Sequence, residues 1–359
     1  MNEMKVKLGD LTRIRTGKLD ANAASEDGLY PFFTCSRDSL KISSYTYDCE
    51  CVLVAGNGDL NVKYCNGKFD AYQRTYIIED NGSKRLYMPY LYYFMDGYVE
   101  ELRKQSIGGV IKYIKLSNLT DALIQLPDIE MQQSIVNMLE KVRFIIDSRS
   151  AELQKLDELV KARFVELFDN KDFPLTTIAD LVAGKISSAK KDFEQDDIIK
   201  YIDISSIDNK RNLMTGYTEY VLKEAPSRAQ QHVRKGDIVI STVRPNLRNV
   251  AITTYEDENL VASSGFCVLR ASKCLPEYLL AIVISDKFTD DMTKVVTGAN
   301  YPAIKNSDVM NYQVSLPPIE LQTQFAEFVQ QTDKSKVVVQ KALNKARLLF
   351  DSLMKKYFG

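Results

Sequence analysis

Few side chains in this chain of 359 residues have the types and spacing that catalysis requires. Its single histidine, His232, lies in the polar stretch AQQHVRKGD with no nucleophile nearby in sequence, which favours a surface position over a catalytic one. Gly56-Asn57-Gly58 lacks the third glycine and the following helix of a dinucleotide site. Neither a G-x-x-x-x-G-K-[ST] phosphate loop nor the Asn-Pro-Pro-Tyr or Asp-Pro-Pro-Tyr sequence of an adenine methyltransferase occurs. We therefore expect no catalytic residues in this chain.

Cysteines are the other group that could do chemistry, as zinc ligands or as disulfides. No C-x-x-C pair is present, and Cys49 and Cys51 alternate as two residues on one face of a strand would. We predict free thiols, no metal site and a reducing, cytoplasmic location. The N-terminus lacks the features of a secretory signal, and no apolar run is long enough to span a membrane. The six cysteines are Cys35, Cys49, Cys51, Cys65, Cys267 and Cys274.

A repeat with an offset of 190 residues organises the chain. LPDIEMQQ, which begins at Leu126, returns as LPPIELQT, which begins at Leu316. The same offset aligns Gly108 with Gly298 upstream and Phe168 with Phe358 downstream without a gap. A period this long indicates tandem duplication of a whole domain rather than a solenoid.

A long helix is predicted after each Leu-Pro, because apolar residues recur at steps of three and four without an internal proline or glycine. At roughly 1.5 Å per residue the first helix would be about 57 Å long, too long to bury in one small domain. Thr332 and Lys336 are polar members of the second seam. The apolar seam consists of Ile135, Leu139, Val142, Ile146, Leu153, Leu156 and Val160 in the first copy, and of Phe325, Val329, Val339, Leu343, Phe350 and Leu353 in the second.

Opposite charge favours pairing of these two helices with each other. Residues 126–170 carry 6 Lys/Arg against 9 Asp/Glu, whereas residues 316–359 carry 7 against 4. Antiparallel pairing of two copies of one unit would relate the halves by a pseudo-twofold axis. The alternative is that each helix lies separately on the surface, with a solvated polar face.

The two remaining regions, or heads, have an α+β pattern. Short β-rich runs at 51–55, 74–78, 237–242 and 266–269 are separated by Gly, Asn and Asp turns, and helical stretches are predicted at 90–98 and 276–289. Equivalent loops of the two heads differ, as expected if the heads perform one task on two targets. The predicted segments are a first head at 1–125, a spacer helix at 126–170, a second head at 171–315 and a second spacer helix at 316–359.

This order of elements resembles the specificity subunit of Type I restriction-modification systems. A variable head, an L-P-x-I-E-x-Q sequence and a long helix occur twice, and the resemblance covers essentially the whole chain. It implies two target-recognition domains with mixed sheets, each of which reads one half of a split sequence in double-stranded DNA. The two helices would pair as an antiparallel coiled coil that sets the gap. Thr323 departs from the first copy, which has Gln133 at that position.

The resemblance also implies partners and a cofactor. The paired helices would bind two methyltransferase subunits, and the family allows restriction or translocase subunits in addition. S-adenosylmethionine is expected on the methyltransferase subunit and no cofactor in this chain.

Candidate DNA contacts under this resemblance are polar side chains in the loops of the heads. With a net charge of −1, any positive surface must come from local segregation of charge. Arginine can pair with guanine and asparagine with adenine, and both also bind phosphates. Each candidate could instead be an ordinary solvated residue or turn former. The candidates are Lys18, Asn57, Asn61, Lys63, Gln73 and Arg74 in the first head, and Lys185, Lys190, Lys191, Arg244, Asn246, Arg248, Asn300 and Tyr301 in the second.

Two other classes of protein remain open at this point. One is a diverged DNA methyltransferase or nuclease fragment, which would transfer a labelled methyl group or cut DNA by itself. The other is a two-headed adaptor that binds proteins, which would show no salt-dependent binding to duplex DNA in the presence of its partner subunit.

Overall fold

The computed structural model describes residues 5–169, 171–298 and 302–359. The chain divides into two compact units, unit 1 (Met1–Ala151 and Val339–Gly359) and unit 2 (Glu152–Val338). Two helices of 40 residues each contribute to both units, the first long helix, Ile129–Phe168, and the second long helix, Ile319–Phe358. The sequence predicts these helices but not the division of each of them between two units.

A six-stranded mixed sheet forms the frame of unit 1. Successive residues of a strand face opposite sides of a sheet. In the strand Tyr47–Ala55, Val52 and Val54 therefore belong to one apolar cluster, and Cys51 and Leu53 belong to another. One pairing, of Tyr30–Phe33 with Val62–Ala71, is parallel. In spatial order the strands are Thr12–Thr16, Thr75–Asp80, Tyr47–Ala55, Val62–Ala71, Tyr30–Phe33 and Leu40–Ile42.

Helical residues cover one face of this sheet. Leu91 and Met95 of the helix Met88–Gln105 are fully buried in the same cluster as Ile135 and Leu139 of the first long helix. Residues 350–358 of the second long helix pack against this cluster. The unit is completed by the helix Leu116–Thr120, the 3-10 turns Leu8–Asp10 and Ala21–Ala23, and an antiparallel ladder of Lys5–Lys7 with Leu123–Gln125.

Unit 2 distributes its strands among smaller sheets, one of which has a parallel pairing of Ile198–Ile202 with Leu260–Ser263. Both units therefore contain mixed sheets. The four-stranded sheet has the order Thr218–Val221, Ile198–Ile202, Leu260–Ser263, Ala229–His232, and the three-stranded sheet has the order Val250–Ile252, Ile238–Ser241, Phe266–Leu269. Two-stranded ladders join Ile207–Asp208 to Leu213–Met214 and Leu175–Thr177 to Gln313–Ser315.

The helical stretch predicted at 276–289 is two helices, Pro276–Val283 and Asp286–Lys294. Ser285 separates them because its hydroxyl accepts a hydrogen bond from the amide of Phe288 at 3.1 Å, an N-cap that starts a new helix. The other helices of unit 2 are Ile178–Leu181, Ala189–Asp192 and Asn306–Met310, with 3-10 turns at Ile204–Ser206, Leu222–Glu224 and Pro245–Leu247.

The long helices pair in each unit, and every apolar seam residue predicted from the sequence is buried or partly buried. In unit 1 the guanidinium of Arg143 lies 5.3 Å from the centre of the Phe350 ring. In unit 2 the Phe325 ring lies 5.6 Å from that of Phe168, and Lys336 Nζ lies 2.7 Å from Asp157 Oδ1. In unit 2, Asp157 and Phe168 of the first long helix contact Lys336 and Phe325 of the second, so residue numbers increase in opposite directions along the two helices. The pairing is therefore antiparallel, and separate surface helices are excluded.

The glutamine of the repeated L-P-x-I-E-x-Q sequence joins the long helix to its head in each unit. Gln132 Oε1 accepts from the amide of Tyr87 at 2.8 Å, and Gln322 Oε1 accepts from the amide of Leu275 at 2.9 Å. Tyr87 and Leu275 directly precede the helices that begin at Met88 and Pro276. Each Nε2 also donates to the carbonyl of the proline five residues earlier, at 2.8 Å in both units. The repeated sequence therefore has a structural role.

Candidate functional site

In unit 1 the backbone just after the strand Tyr47–Ala55 forms hydrogen bonds with two other segments of the chain. The amide of Gly56 donates to the carbonyl of Arg74 at 2.8 Å, and the carbonyl of Gly56 accepts from the amide of Ile114 at 2.9 Å. Two residues later, Gly58 has a left-handed φ of +69° and donates to the carbonyl of Lys112 at 3.0 Å. We call this hydrogen-bonded arrangement the backbone frame of unit 1.

A cleft of about 320 Å³ opens beside this frame. Gln73 and Arg74 are exposed at the cleft, and neither side chain forms a hydrogen bond or ion pair within the part of the chain that the structure describes. Tyr76 and Tyr113 contribute aromatic lining. The hydroxyl of Tyr76 donates to the carbonyl of Ile114 at 3.2 Å, and burial raises its pKa. The cleft therefore presents free polar groups beside aromatic surface.

Lys18 and Asn57 also lie near this cleft. The amide of Gln73 donates to the carbonyl of Leu19 at 2.8 Å, which places Lys18 beside the turn that carries Gln73. Asn57 forms an isolated bridge with Tyr113. The structure thus brings four predicted contacts of the first head together, namely Lys18, Asn57, Gln73 and Arg74.

Asn61 and Lys63 are partly buried and hold a loop of unit 1. Asn61 Nδ2 donates to the carbonyl of Cys35 at 2.8 Å, and Lys63 Nζ donates to the carbonyl of Ser36 at 2.6 Å and to the side-chain oxygen of Asn61. Burial lowers the pKa of Lys63. Both follow the same strand as Asn57, but their polar atoms have partners inside the unit. DNA binding by them stays a prediction.

Unit 2 has a matching backbone frame. The amide of Thr242 donates to the carbonyl of Gly265 at 3.0 Å, and the carbonyl of Thr242 accepts from the amide of Ile304 at 2.9 Å. Two residues later, Arg244 has a left-handed φ of +50° and donates to the carbonyl of Pro302 at 2.8 Å. Arg244 therefore occupies the place that Gly58 has in unit 1.

The loop after Arg244 is held by a hydrogen bond from another segment. Asn209 Nδ2 donates to the carbonyl of Leu247 at 2.9 Å, which supports the 3-10 turn Pro245–Leu247. Arg244 and Asn246 are exposed, and no partner of either side chain occurs among the described residues.

Arg248, by contrast, has an ion-pair partner. Its Nη1 lies 2.6 Å from Asp286 Oδ1, and this contact lowers the pKa of Asp286. Of the three polar side chains predicted in this loop, two are therefore free to bind a ligand.

Lys185, Lys190 and Lys191 are exposed, the last two on the short helix Ala189–Asp192. His232 anchors this helix, because its Nδ1 lies 2.5 Å from Asp192 Oδ2. The histidine is partly buried and has a structural contact rather than a fully exposed surface position. Asn300 and Tyr301 lie outside the described residues.

All six cysteines are free thiols. Burial raises the pKa of Cys49 and of Cys274 to about 11, which disfavours the reactive thiolate. Within residues 5–169, 171–298 and 302–359, His, Cys, Asp and Glu side chains form no group suited to hold a metal ion. No helix in those ranges combines the length and apolar character needed to cross a bilayer.

A family model for the Type I restriction modification DNA specificity domain matches residues 2–158 and 169–346. The chain belongs to this family. It is a specificity subunit, which contributes DNA-sequence specificity and no catalysis, and its partners are DNA and modification subunits.

Individual relatives agree with this assignment. The chain is 28% identical to the Type I restriction enzyme EcoDI specificity subunit of Escherichia coli, in an alignment of 396 positions that covers 98% of this chain and 87% of that protein. It is 21% identical to the Type I restriction enzyme MjaVIII specificity subunit of Methanocaldococcus jannaschii, in an alignment of 387 positions that covers 95% of this chain and 90% of that protein. The crystal structure of the Type I S subunit from M. genitalium has the same fold, with a TM-score of 0.65, 15% identity, and coverage of 99% and 96%.

Proposed function

We propose that each unit of this specificity subunit reads one half of a bipartite sequence in double-stranded DNA. The observation that carries the proposal is that one backbone frame occurs twice with different exposed side chains. Gln73 and Arg74 are free beside it in unit 1, and Arg244 and Asn246 are free beside it in unit 2. Different hydrogen-bonding groups select different base pairs, so two half-sites of unequal sequence are expected.

The long helices provide surfaces for the modification subunits. Apolar side chains remain exposed on them away from the seam, including Phe144 (72%), Val338 (68%) and Leu348 (70%). A shallow groove of about 440 Å³ also runs along the first long helix beside Met138 and Lys141. We assign these side chains to the interface with the modification subunits, where their exposed apolar area would be buried. Two methyltransferase subunits, one on each unit, would bring S-adenosylmethionine and the transfer chemistry, and the complex would act on DNA in the cytoplasm.

Methylome sequencing of a host with and without the gene tests the reading function. We expect one split motif that disappears with the gene. Exchange of residues 171–315 for the second head of another family member should then change one half of the motif and leave the other unchanged. A motif without a gap, or a change in both halves, would refute the proposal.

The antiparallel pairing also suggests how to test whether the long helices set the gap between the two half-sites. Because the helices pair along their seams, seven residues inserted after Ala151 need a matching seven after Val338 to keep the seam in register. At roughly 1.5 Å per residue this adds about 10 Å, or about three base pairs. The gap in the motif should lengthen by that amount, and an unchanged gap would show that the helices do not set it.

A further inference from the structure

The two backbone frames carry their large side chains at different positions. The pairing of Gly56 with Arg74 corresponds to that of Thr242 with Gly265, so that Gly265 stands where unit 1 has Arg74. Ser264 then corresponds to Gln73.

The segment that contributes Lys112 to the frame of unit 1, and Pro302 to that of unit 2, also carries a larger side chain in unit 1. Two hydrogen bonds join Ile107 to Tyr113 in unit 1, and two join Thr297 to Ala303 in unit 2. Ala303 therefore corresponds to Tyr113. The three positions that hold Gln, Arg and Tyr in unit 1 hold Ser, Gly and Ala in unit 2.

At the frame position with a left-handed φ, the larger side chain is in unit 2. Gly58 has no side chain there, and nothing would lie within 4 Å of a Cβ atom added to it. Unit 2 has Arg244 in this place, although a residue other than glycine adopts a left-handed φ only at an energetic cost. A strained backbone that carries an exposed arginine, whose side chain has no partner among the described residues, is a candidate functional feature.

We propose that the two units read base edges from different positions of the same frame. In unit 1 the reading groups are Gln73 and Arg74, with the ring of Tyr113 against the same base pairs. In unit 2 the reading group is Arg244. This inference rests on the proposed function and specifies which residues determine the sequence of each half-site.

The chemistry of these groups indicates which base edges they take. A guanidinium forms two parallel hydrogen bonds with O6 and N7 of guanine, and a glutamine amide does the same with N6 and N7 of adenine. The ligand of the unit 1 cleft is thus the major-groove edge of purines. Arg248 is left out of this assignment, because its guanidinium forms an ion pair with Asp286.

The test uses the complex of this chain with its methyltransferase subunits and duplex libraries in which one half-site at a time is randomised. Head exchange first assigns each half-site to a unit. Arg74→Ala should lower discrimination at one base pair of the unit 1 half-site by about 5- to 150-fold, the range for loss of one paired contact, and Arg74→Lys should lower it less. Lysine keeps the charge but not the planar fork. The unit 2 half-site should stay unchanged.

Arg244→Gly should produce the same loss in the unit 2 half-site alone. This variant removes the left-handed strain, so it should fold and assemble as well as the parent chain. Ser264→Ala is the matched control, because Ser264 occupies the position of Gln73, and it should change neither half-site.

Two outcomes overturn the assignment. Arg74→Ala or Arg244→Gly could weaken methylation of all sequences equally and reduce its salt dependence, which would identify phosphate contacts. Either variant could also leave both half-sites intact. In both cases the split motif of the parent complex would persist, whereas failure of the proposed function would leave no split motif to analyse.

Discussion

Units 1 and 2 share a backbone frame but differ in a buried residue five positions before it, which is Cys51 in unit 1 and Asp237 in unit 2. In unit 2 Asp237 is 1% exposed and accepts two hydrogen bonds from Arg270, at 2.8 and 2.7 Å. Strand register places Cys51 at the equivalent position of unit 1, because Val52 pairs with Ile78 as Ile238 pairs with Leu269. Cys51 is fully buried among apolar residues. The repeat therefore retains backbone hydrogen bonds while the chemistry of its interior changes.

The largest effect is expected from removal of this carboxylate. Asp237→Ala leaves the Arg270 guanidinium without its partner and the amide of Arg234, 2.8 Å away, without its acceptor. Because Arg270 is partly exposed, we expect a loss of about 2–4 kcal/mol, at or below the range for a buried pair. Cys51→Ala removes one buried sulfur from unit 1 and should cost about 1 kcal/mol.

Hydrogen exchange measured separately in Ile238–Ser241 and Tyr47–Ala55 would check this contrast. Protection should fall strongly in unit 2 for Asp237→Ala and weakly in unit 1 for Cys51→Ala. Asp172→Ala, at an exposed position of unit 2, is the control. Equal losses from the two core variants would show that the ion pair adds little to unit 2.

The repeated glutamines provide a closer comparison, with a smaller difference. Gln132 makes a third hydrogen bond, from Nε2 to the carbonyl of Arg85 at 2.9 Å, for which no counterpart is found at Gln322 among the described residues. Since each buried group left unsatisfied costs about 1–3 kcal/mol, Gln132→Ala should destabilise unit 1 by about 3 kcal/mol. Gln322→Ala should destabilise unit 2 by about 2 kcal/mol.

Urea titration with hydrogen exchange read in each unit would measure both losses. The neighbouring exposed glutamines, Gln133 and Gln324, provide matched alanine controls that should have little effect. The interpretation of the motif as a structural joint would be wrong if the controls were as damaging as the buried positions.

The features that could be predicted from the sequence are those that depend on residues close together in the chain. The seam follows from a period of three and four residues, and its members are buried or partly buried as expected. The break at Ser285 was missed, because an N-cap inside an apolar stretch produces no change in periodicity. The equivalence of Tyr90 and Tyr278, which donate to the carbonyls of Gln125 and Ser315, was hidden by their spacing of 188 residues within a repeat of 190.

The candidate site shows the limit of such patterns. The cleft of unit 1 combines Thr16, Gly56, Arg74 and Tyr113, which lie far apart in sequence and meet only through strand pairing. Gln73 and Arg74 could be predicted from their types, whereas Tyr113 could not, since nothing local marks an aromatic residue that lines a distant cleft. The internal role of Lys63 was missed for the same reason, because the carbonyl of Ser36 that it binds belongs to another segment.

The smallest expected effect concerns the one histidine of the chain, which belongs to unit 2. Hydrogen bonds from His232 and Ser187 hold the pKa of Asp192 below its usual range. A carboxylate with a lowered pKa in the folded state stabilises the fold above its unfolded pKa, and that contribution is lost as the pH falls through the lowered value. Asp192→Asn should therefore lower the melting temperature slightly at pH 7, and the difference from the parent chain should shrink toward pH 3. Thermal unfolding at pH 7, 5 and 3 would measure it, with Asp172→Asn as the control. A difference that stayed the same from pH 5 to pH 3 would mean that His232 and Ser187 do not stabilise the charged form of Asp192.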